Sequence, residues 1–158
     1  MSERATESVW EYPRPPAIER VSRHIRAVVG GHVIAQTTRP IRVLETSHPP
    51  VYYIPPEDVA KQYLQRSPHS TLCEYKGRAH YYSIVVDGEK RSNVAWCYPN
   101  PSPGYEELAG YIAFYPWALD EATVDGEQVT PQPGRFYGGW ITHEIQGPFK
   151  GEPGTMGW

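Results

Sequence analysis

A chain of 158 residues with 17 prolines and 14 glycines excludes long helices, because proline removes a backbone donor and glycine costs conformational entropy in a helix interior. Its net charge of -3, without a basic block, excludes the clustered Lys/Arg face that captures a nucleic-acid backbone. The length suits one domain that buries a single core without an obligatory metal or disulfide, and no apolar run approaches the length of a membrane span. Three Phe stand against 12 Tyr and five Trp, so much of the core material carries an O–H or N–H that needs a partner when buried. The polar N-terminus lacks the apolar segment of a signal peptide, and the chain reads as a soluble cytoplasmic protein. Cys73 and Cys97 form no C-x-x-C pair and read as reduced thiols. The six histidines are scattered without metal-ligand spacing, so neither a metal nor another cofactor is indicated.

The pattern as a whole is mainly β: two antiparallel sheets built from hairpins, one short helix, and extended Pro/Gly-rich arms at both ends. Residues 1–20, with Trp10, Tyr12, Pro13, Pro15 and Pro16, show neither helical nor strand periodicity and read as an arm lying on a domain at 21–130. Residues 22–29 and 32–37 flank Gly30 and Gly31, a hairpin signal because the turns that match strand twist need positive φ. Residues 41–46 alternate apolar and polar, residues 51–54 are a short apolar run, and both predict strands. Pro56, Glu57 and Asp58 open the one helix, which Val59, Tyr63 and Leu64 continue at helical spacing to about Gln65, before Pro68 stops it.

Residues 71–83 then feed a strand that turns at Asp87-Gly88 into a second strand ending at Tyr98. Counting outward from a two-residue turn sets Tyr81 opposite Val94 and Ala79 opposite Trp96. Tyr81 and Trp96 then share one face as diagonal neighbours, while Arg78, His80 and Tyr82 share the other with Cys97 and Asn93. A one-residue bulge would exchange the faces. Residues 110–115 make a further strand, and Asp125-Gly126 a further hairpin. The extension at 131–158 carries Phe136, Tyr137, Trp140, Phe149 and Trp158. It is too aromatic for a linker and is expected to pack in extended form on the domain or on a second copy.

The candidate site lies in residues 71–83 and 95–101, which gather both cysteines, a lysine and several aromatics. Desolvation of Lys76 beside Tyr75 and Gly77 would lower its pKa and make it a base or an amine nucleophile; its ammonium could instead meet an anion, or lie on the surface. Cys73 becomes a nucleophile if Lys76, Arg78 or His80 lowers its pKa, and is otherwise a buried thiol. Tyr52, Tyr81, Trp96 and Tyr98 would line a cleft for a planar or apolar ligand, with Lys76 at its rim and Tyr75 as a further ligand-binding residue; the alternative is that they are core.

Four motifs carry a resemblance: Val51-Tyr52-Tyr53-Ile54-Pro55-Pro56-Glu57-Asp58-Val59, Thr71-Leu72-Cys73-Glu74-Tyr75-Lys76-Gly77-Arg78-Ala79-His80-Tyr81, Ala95-Trp96-Cys97-Tyr98-Pro99-Asn100-Pro101 and Gly110-Tyr111-Ile112-Ala113-Phe114-Tyr115. Together, over about residues 20–120, they resemble the DUF427 family. Gly139-Trp140-Ile141-Thr142 and Gly147-Pro148-Phe149-Lys150-Gly151 resemble an extension of its longer members. The resemblance implies an Mss4-like or β-tent architecture, shared with methionine sulfoxide reductase B and the thalidomide-binding domain of cereblon. Many of those relatives hold zinc between two pairs of cysteines, which this chain lacks. A nucleotidyltransferase-like label also attaches to the family, but the chain has no Gly-Ser followed by paired aspartates and no P-loop.

Three functional readings follow. In the first, a small-molecule-binding domain holds a planar or anionic ligand in an aromatic cleft with a rim lysine. In the second, an enzyme uses Lys76 or Cys73 on that ligand. In the third, the terminal arms form a homo-oligomeric assembly surface.

Overall fold

Three turn dipeptides punctuate the chain as expected. Gly30 and Gly31, Asp87 and Gly88, and Asp125 and Gly126 all take positive φ, between 50° and 82°, and each joins two antiparallel strands. The computed structural model describes residues 4–158. Its strands are β1 (Glu7–Ser8), β2 (Ala17–Arg20), β3 (Ile25–Val29), β4 (His32–Thr37), β5 (Ile41–Leu44), β6 (Val51–Ile54), β7 (Leu64–Cys73), β8 (Gly77–Val86), β9 (Glu89–Cys97) and β10 (Ile112–Phe114). They continue as β11 (Glu121–Val124), β12 (Glu127–Gln128), β13 (Thr130–Pro131), β14 (Trp140–Ile141) and β15 (Ile145–Gln146). A seven-stranded antiparallel sheet runs β2-β5-β6-β10-β9-β8-β7, and a four-stranded one runs β12-β11-β3-β4. Two small ribbons, β13 with β14 and the parallel β1 with β15, complete the mainly β fold. No helix among the described residues is long and apolar enough to cross a membrane.

The β8–β9 register departs from the simple count. From the turn outward Val86 pairs with Glu89 and Ile84 with Arg91, but beyond Ser83 the pairs become Tyr82 with Ala95 and Tyr81 with Trp96. Three residues of β9, Ser92, Asn93 and Val94, stand against the single Ser83. Asn93 takes a φ of 55°, and its N–H donates to Ser83 Oγ at 3.1 Å. The slip is two residues, an even number, so it preserves the side-chain faces. Tyr81 and Trp96 share a face as expected, directly opposite each other rather than diagonal.

The expected helix at 56–65 does not form. Two single 3-10 turns, Pro56–Asp58 and Lys61–Tyr63, replace it. Between them Val59 bridges to Ala35, and the Ala60 N–H donates to Ile34 O at 2.8 Å, so pairing with β4 overrides the helical spacing. The chain then enters β7, a ten-residue edge strand that runs through Pro68, the residue expected to stop the helix. The proline lies where the β7–β8 register shifts, between Arg66 and Ser70, and an edge strand tolerates its missing donor there.

The N-terminal segment also contains strand. β2 forms one edge of the large sheet against β5, and β1 pairs with β15 near the chain end. This coverage explains why β5, expected to alternate, is buried at all four positions. Arg42, 4% exposed, donates to Glu19 at 2.7 Å and to Glu7 at 2.9 Å. Tyr12 also donates to Glu7, at 2.6 Å. Burial pushes the Glu7 carboxyl up, but the hydrogen bonds from Arg42 and Tyr12 outweigh it and hold the group below its ordinary value. The main core gathers Ile25, Ile34, Ile41, Ile54, Ile84 and Phe114, and from the C-terminal extension it takes Trp140, which is fully buried.

Candidate functional site

Strands β6, β9 and β8 of the large sheet, with β10 and its small Ala113 between β6 and β9, present an aromatic face. Tyr53 (β6), Tyr81 (β8) and Trp96 (β9) lie in a row, and the rings of Tyr98 and Tyr115 extend it. Trp96 packs on Tyr115 with centroids 4.6 Å apart and meets Tyr53 edge-on at 6.3 Å. The polar ends are bonded: Trp96 Nε1 donates to Tyr53 O–H at 3.2 Å, Tyr115 O–H donates to Phe136 O at 3.2 Å, and Tyr81 O–H meets Thr71 Oγ1 at 3.1 Å. Burial pushes the phenols of Tyr53, Tyr98 and Tyr115 up, so all three stay protonated at neutral pH. This face floors a cleft of about 390 Å³. Its walls come from the β7–β8 hairpin, the β5–β6 loop and the C-terminal extension.

The hairpin supplies Cys73 and Lys76. Cys73 ends β7 opposite Gly77, whose φ of 107° suits glycine and whose Cα faces Ser102 Oγ and Asn100 O so closely that an added Cβ would lie 3.3–3.4 Å from them. The Ser102 N–H donates to Lys76 O at 2.9 Å, which fastens the hairpin tip and turns Lys76 inward. The Lys76 side chain is 9% exposed, with Nζ 5.9 Å from the centre of the Tyr98 ring. Burial opposes its charge, but Tyr53, Cys73 and Glu45 outweigh that, and its pKa lies above the ordinary lysine value. The expected lowering by desolvation is therefore reversed: Lys76 is an ammonium, suited to hold an anion rather than to act as a base.

The β5–β6 loop brings Glu45 and His48, and the extension brings Gln132, Tyr137, Gly138 and Lys150. Lys150 Nζ sits 5.8 Å from the Tyr137 ring centre. Glu45 pairs with Arg14 at 3.5 Å, and neither Lys76 nor Lys150 has a carboxylate at ion-pairing distance among the described residues. Burial, then Lys150, Arg14 and Lys76, push the His48 pKa down to about 4 from 6.5. An unfolded chain binds a proton there that the folded chain refuses, so stability falls as pH drops from 6.5 toward 4. After allowance for partial solvent access the loss is about 2 kcal/mol. Urea unfolding from pH 7 to 4.5 is expected to show it, and His48→Gln is expected to flatten that part of the profile.

Gly138 fits the extension onto the indole, since a Cβ there would lie 2.3 Å from Trp96 Cη2. Gly138→Val is expected to displace Trp96 and cost about 1–3 kcal/mol, read as a shifted tryptophan emission together with a lowered urea midpoint.

Of the residues singled out from sequence, Cys73, Lys76, Tyr81, Trp96 and Tyr98 come together in the cleft. Tyr52 does not: it is buried on the opposite face of β6, where it accepts a hydrogen bond from Arg23 at 2.7 Å and meets Trp140 edge-on. Tyr75 is half-buried and forms no part of the cleft wall. Cys97 faces away from the cleft, where Tyr82 O–H lies 3.8 Å from its sulfur and burial pushes its thiol up. Both thiols are free. Sequence reasoning missed Tyr53, Tyr115, Glu45, His48, Gln132 and Lys150. Strand parity on β6 could have recovered Tyr53 had one neighbour's face been known.

Elsewhere, Glu127, His143 and Glu144 bring three donor atoms within 4.8 Å of one another, a grouping that metal-ligand spacing in the sequence does not reveal. Arg4 lies among them, paired with Glu127 and 3.6 Å from Glu144, so a guanidinium already balances their charge.

No curated protein matches the chain. The profile of DUF427, described as a domain of unknown function, matches residues 17–125, from β2 to the last hairpin turn. On that match, which spans more than half its length, the chain belongs to the DUF427 family.

Proposed function

We propose that this domain binds a planar, anionic small molecule in the aromatic cleft. One observation carries the reading. Lys76 is a buried ammonium on an aromatic wall with no carboxylate at ion-pairing distance among the described residues. The surroundings keep Lys76 charged without a direct ion pair, and a ligand's acid group would supply that direct partner. The rings of Trp96, Tyr81 and Tyr115 supply apolar area, and the cleft volume suits a small ligand. Lys76 in its charged form favours binding over base catalysis, which leaves Cys73 as the nucleophile in an enzymatic reading of the same cleft. Two free thiols suit a reducing compartment.

The test is native mass spectrometry of the purified protein beside a thermal-shift screen of ring-bearing acids and their neutral amides. A retained mass, or a shift confined to acids and lost in Lys76→Met, supports the reading. No retained mass and no shift across both sets would overturn it.

A further inference from the structure

Gln132 holds the key to the cleft's polar corner. It is 3% exposed, and its bonds leave its amide one orientation. Oε1 accepts the Gly139 N–H at 3.1 Å, and Nε2 donates to Lys150 O at 2.9 Å. The same Nε2 lies 3.1 Å from His48 Nδ1. An amide nitrogen only donates, so Nδ1 must accept and can carry no proton. The imidazole is therefore neutral, with its proton on Nε2. That atom has no protein partner among the described residues and is not sealed from solvent.

The groups around His48 act in the same sense. Lys150, Arg14 and Lys76 all oppose a second proton, and Glu45, the acid of the same loop, is engaged by Arg14. Tyr137 packs edge-on against the ring at 5.2 Å. The corner thus offers donors: two ammonium groups without carboxylate partners and one imidazole N–H. Its complement is a group with several acceptor oxygens and negative charge, and the neighbouring Trp96, Tyr81 and Tyr115 rings complement a flat apolar body.

Resting on the cleft reading above, we infer that the site selects aromatic oxyanions, an aryl carboxylate or an aryl phosphate, held between Lys76 and Lys150 and by the Nε2–H of a His48 that Gln132 locks as the neutral tautomer. His48 is then a specificity-determining donor and Gln132 a positioning residue. The neutral lock has a consequence for pH. An ordinary histidine would gain charge below about pH 6.5 and tighten its hold on an anion; a locked one would not.

The experiment titrates benzoate, phenyl phosphate and benzamide into the full chain from pH 5.5 to 8, read by calorimetry and tryptophan emission. At least one of the two anions is expected to bind about tenfold or more tighter than benzamide, as a charge-assisted contact requires. Benzoate affinity is expected to stay flat, since its own acid titrates at about 4. If phenyl phosphate is the better ligand, its affinity falls below about pH 6 as its second proton returns. His48→Phe is expected to weaken anion binding about tenfold, and His48→Gln, which keeps a neutral donor, to restore most of it. Gln132→Leu frees the tautomer while burial, Lys150, Arg14 and Lys76 still oppose a second proton, so it is expected to weaken benzoate binding severalfold without adding a pH dependence between about 5.5 and 8.

Benzamide binding as tightly as both anions would overturn this inference while leaving the cleft as a ring-binding site. A wild-type benzoate affinity that climbs on acidification would overturn the neutral lock. Silence from all three probes at millimolar concentration would overturn the cleft reading itself.

Discussion

Trp140→Ala is expected to destabilise the protein by about 3–5 kcal/mol, the range for deleting a fully buried large aromatic, and to open the cleft in the same step. The indole joins three parts of the fold. Its Nε1–H donates to Phe114 O at 3.1 Å, its ring meets Tyr52 edge-on at 5.8 Å, and its backbone N–H donates to Pro50 O at 2.8 Å. β14 pairs only with the two residues of β13 and β15 only with the two of β1, so the extension's strand pairing is short. Trp140 is the largest fully buried side chain among the described residues, and Gln132 and Gly138, on the same segment, are expected to lose their places in the cleft with it. Urea unfolding measures the stability loss, and amide hydrogen exchange shows whether residues 131–158 loosen before the sheets do. Trp140→Phe separates the two terms: it keeps most of the ring but leaves Phe114 O without its donor, at a cost of about 1–3 kcal/mol. A loss below about 1 kcal/mol for the alanine variant, with the extension still protected, would show that the extension is anchored elsewhere.

The parts legible in the sequence are those fixed by local chemistry. The Asp87-Gly88 turn follows from two residues that tolerate positive φ, and from it come β8, β9 and the shared face of Tyr81 and Trp96. Pairing beyond the turn was not legible, because the slip at Ser92, Asn93 and Val94 depends on a hydroxyl, that of Ser83, on the facing strand. Tyr52 and Tyr53 illustrate the same limit. Two identical neighbours point to opposite faces, and only the packing of Trp140 on one and Trp96 on the other tells them apart. The segment 56–65 carried helical spacing, but the bridge from Val59 to Ala35 decided its conformation. The cleft's far wall was the least visible part. Gln132 and Lys150 lie beyond the segment that the DUF427 profile matches, and His48 gains its meaning only from a glutamine 84 residues away.

Lys76→Met is expected to divide function from fold. Methionine matches the lysine stem in length and is expected to fill the same buried place beside Tyr98, so packing is kept while the ammonium is lost. What the variant gives up in the apo protein is the balance between the burial penalty and the favourable influence of Glu45 and of the hydrogen bond with Cys73, two terms of opposite sign. The net change in stability is expected to stay within about 1 kcal/mol. Binding of an anion has no such cancellation, because the ligand's charge would enter the cleft with one of its two ammonium partners missing. A loss of about 2–3 kcal/mol, or roughly 30- to 150-fold in Kd, is expected for benzoate or phenyl phosphate, with little change for benzamide. Lys76→Arg is expected to recover only part of that loss, since a planar guanidinium cannot reproduce a compact ammonium beside the Tyr98 ring. Equal weakening of the anions and of benzamide, or unfolding of the methionine variant, would assign Lys76 to the packing of the β7–β8 hairpin tip instead of to charge recognition. The Lys76 carbonyl, which holds Ser102, is the same in every variant, so a change confined to the anions isolates the ammonium as its cause.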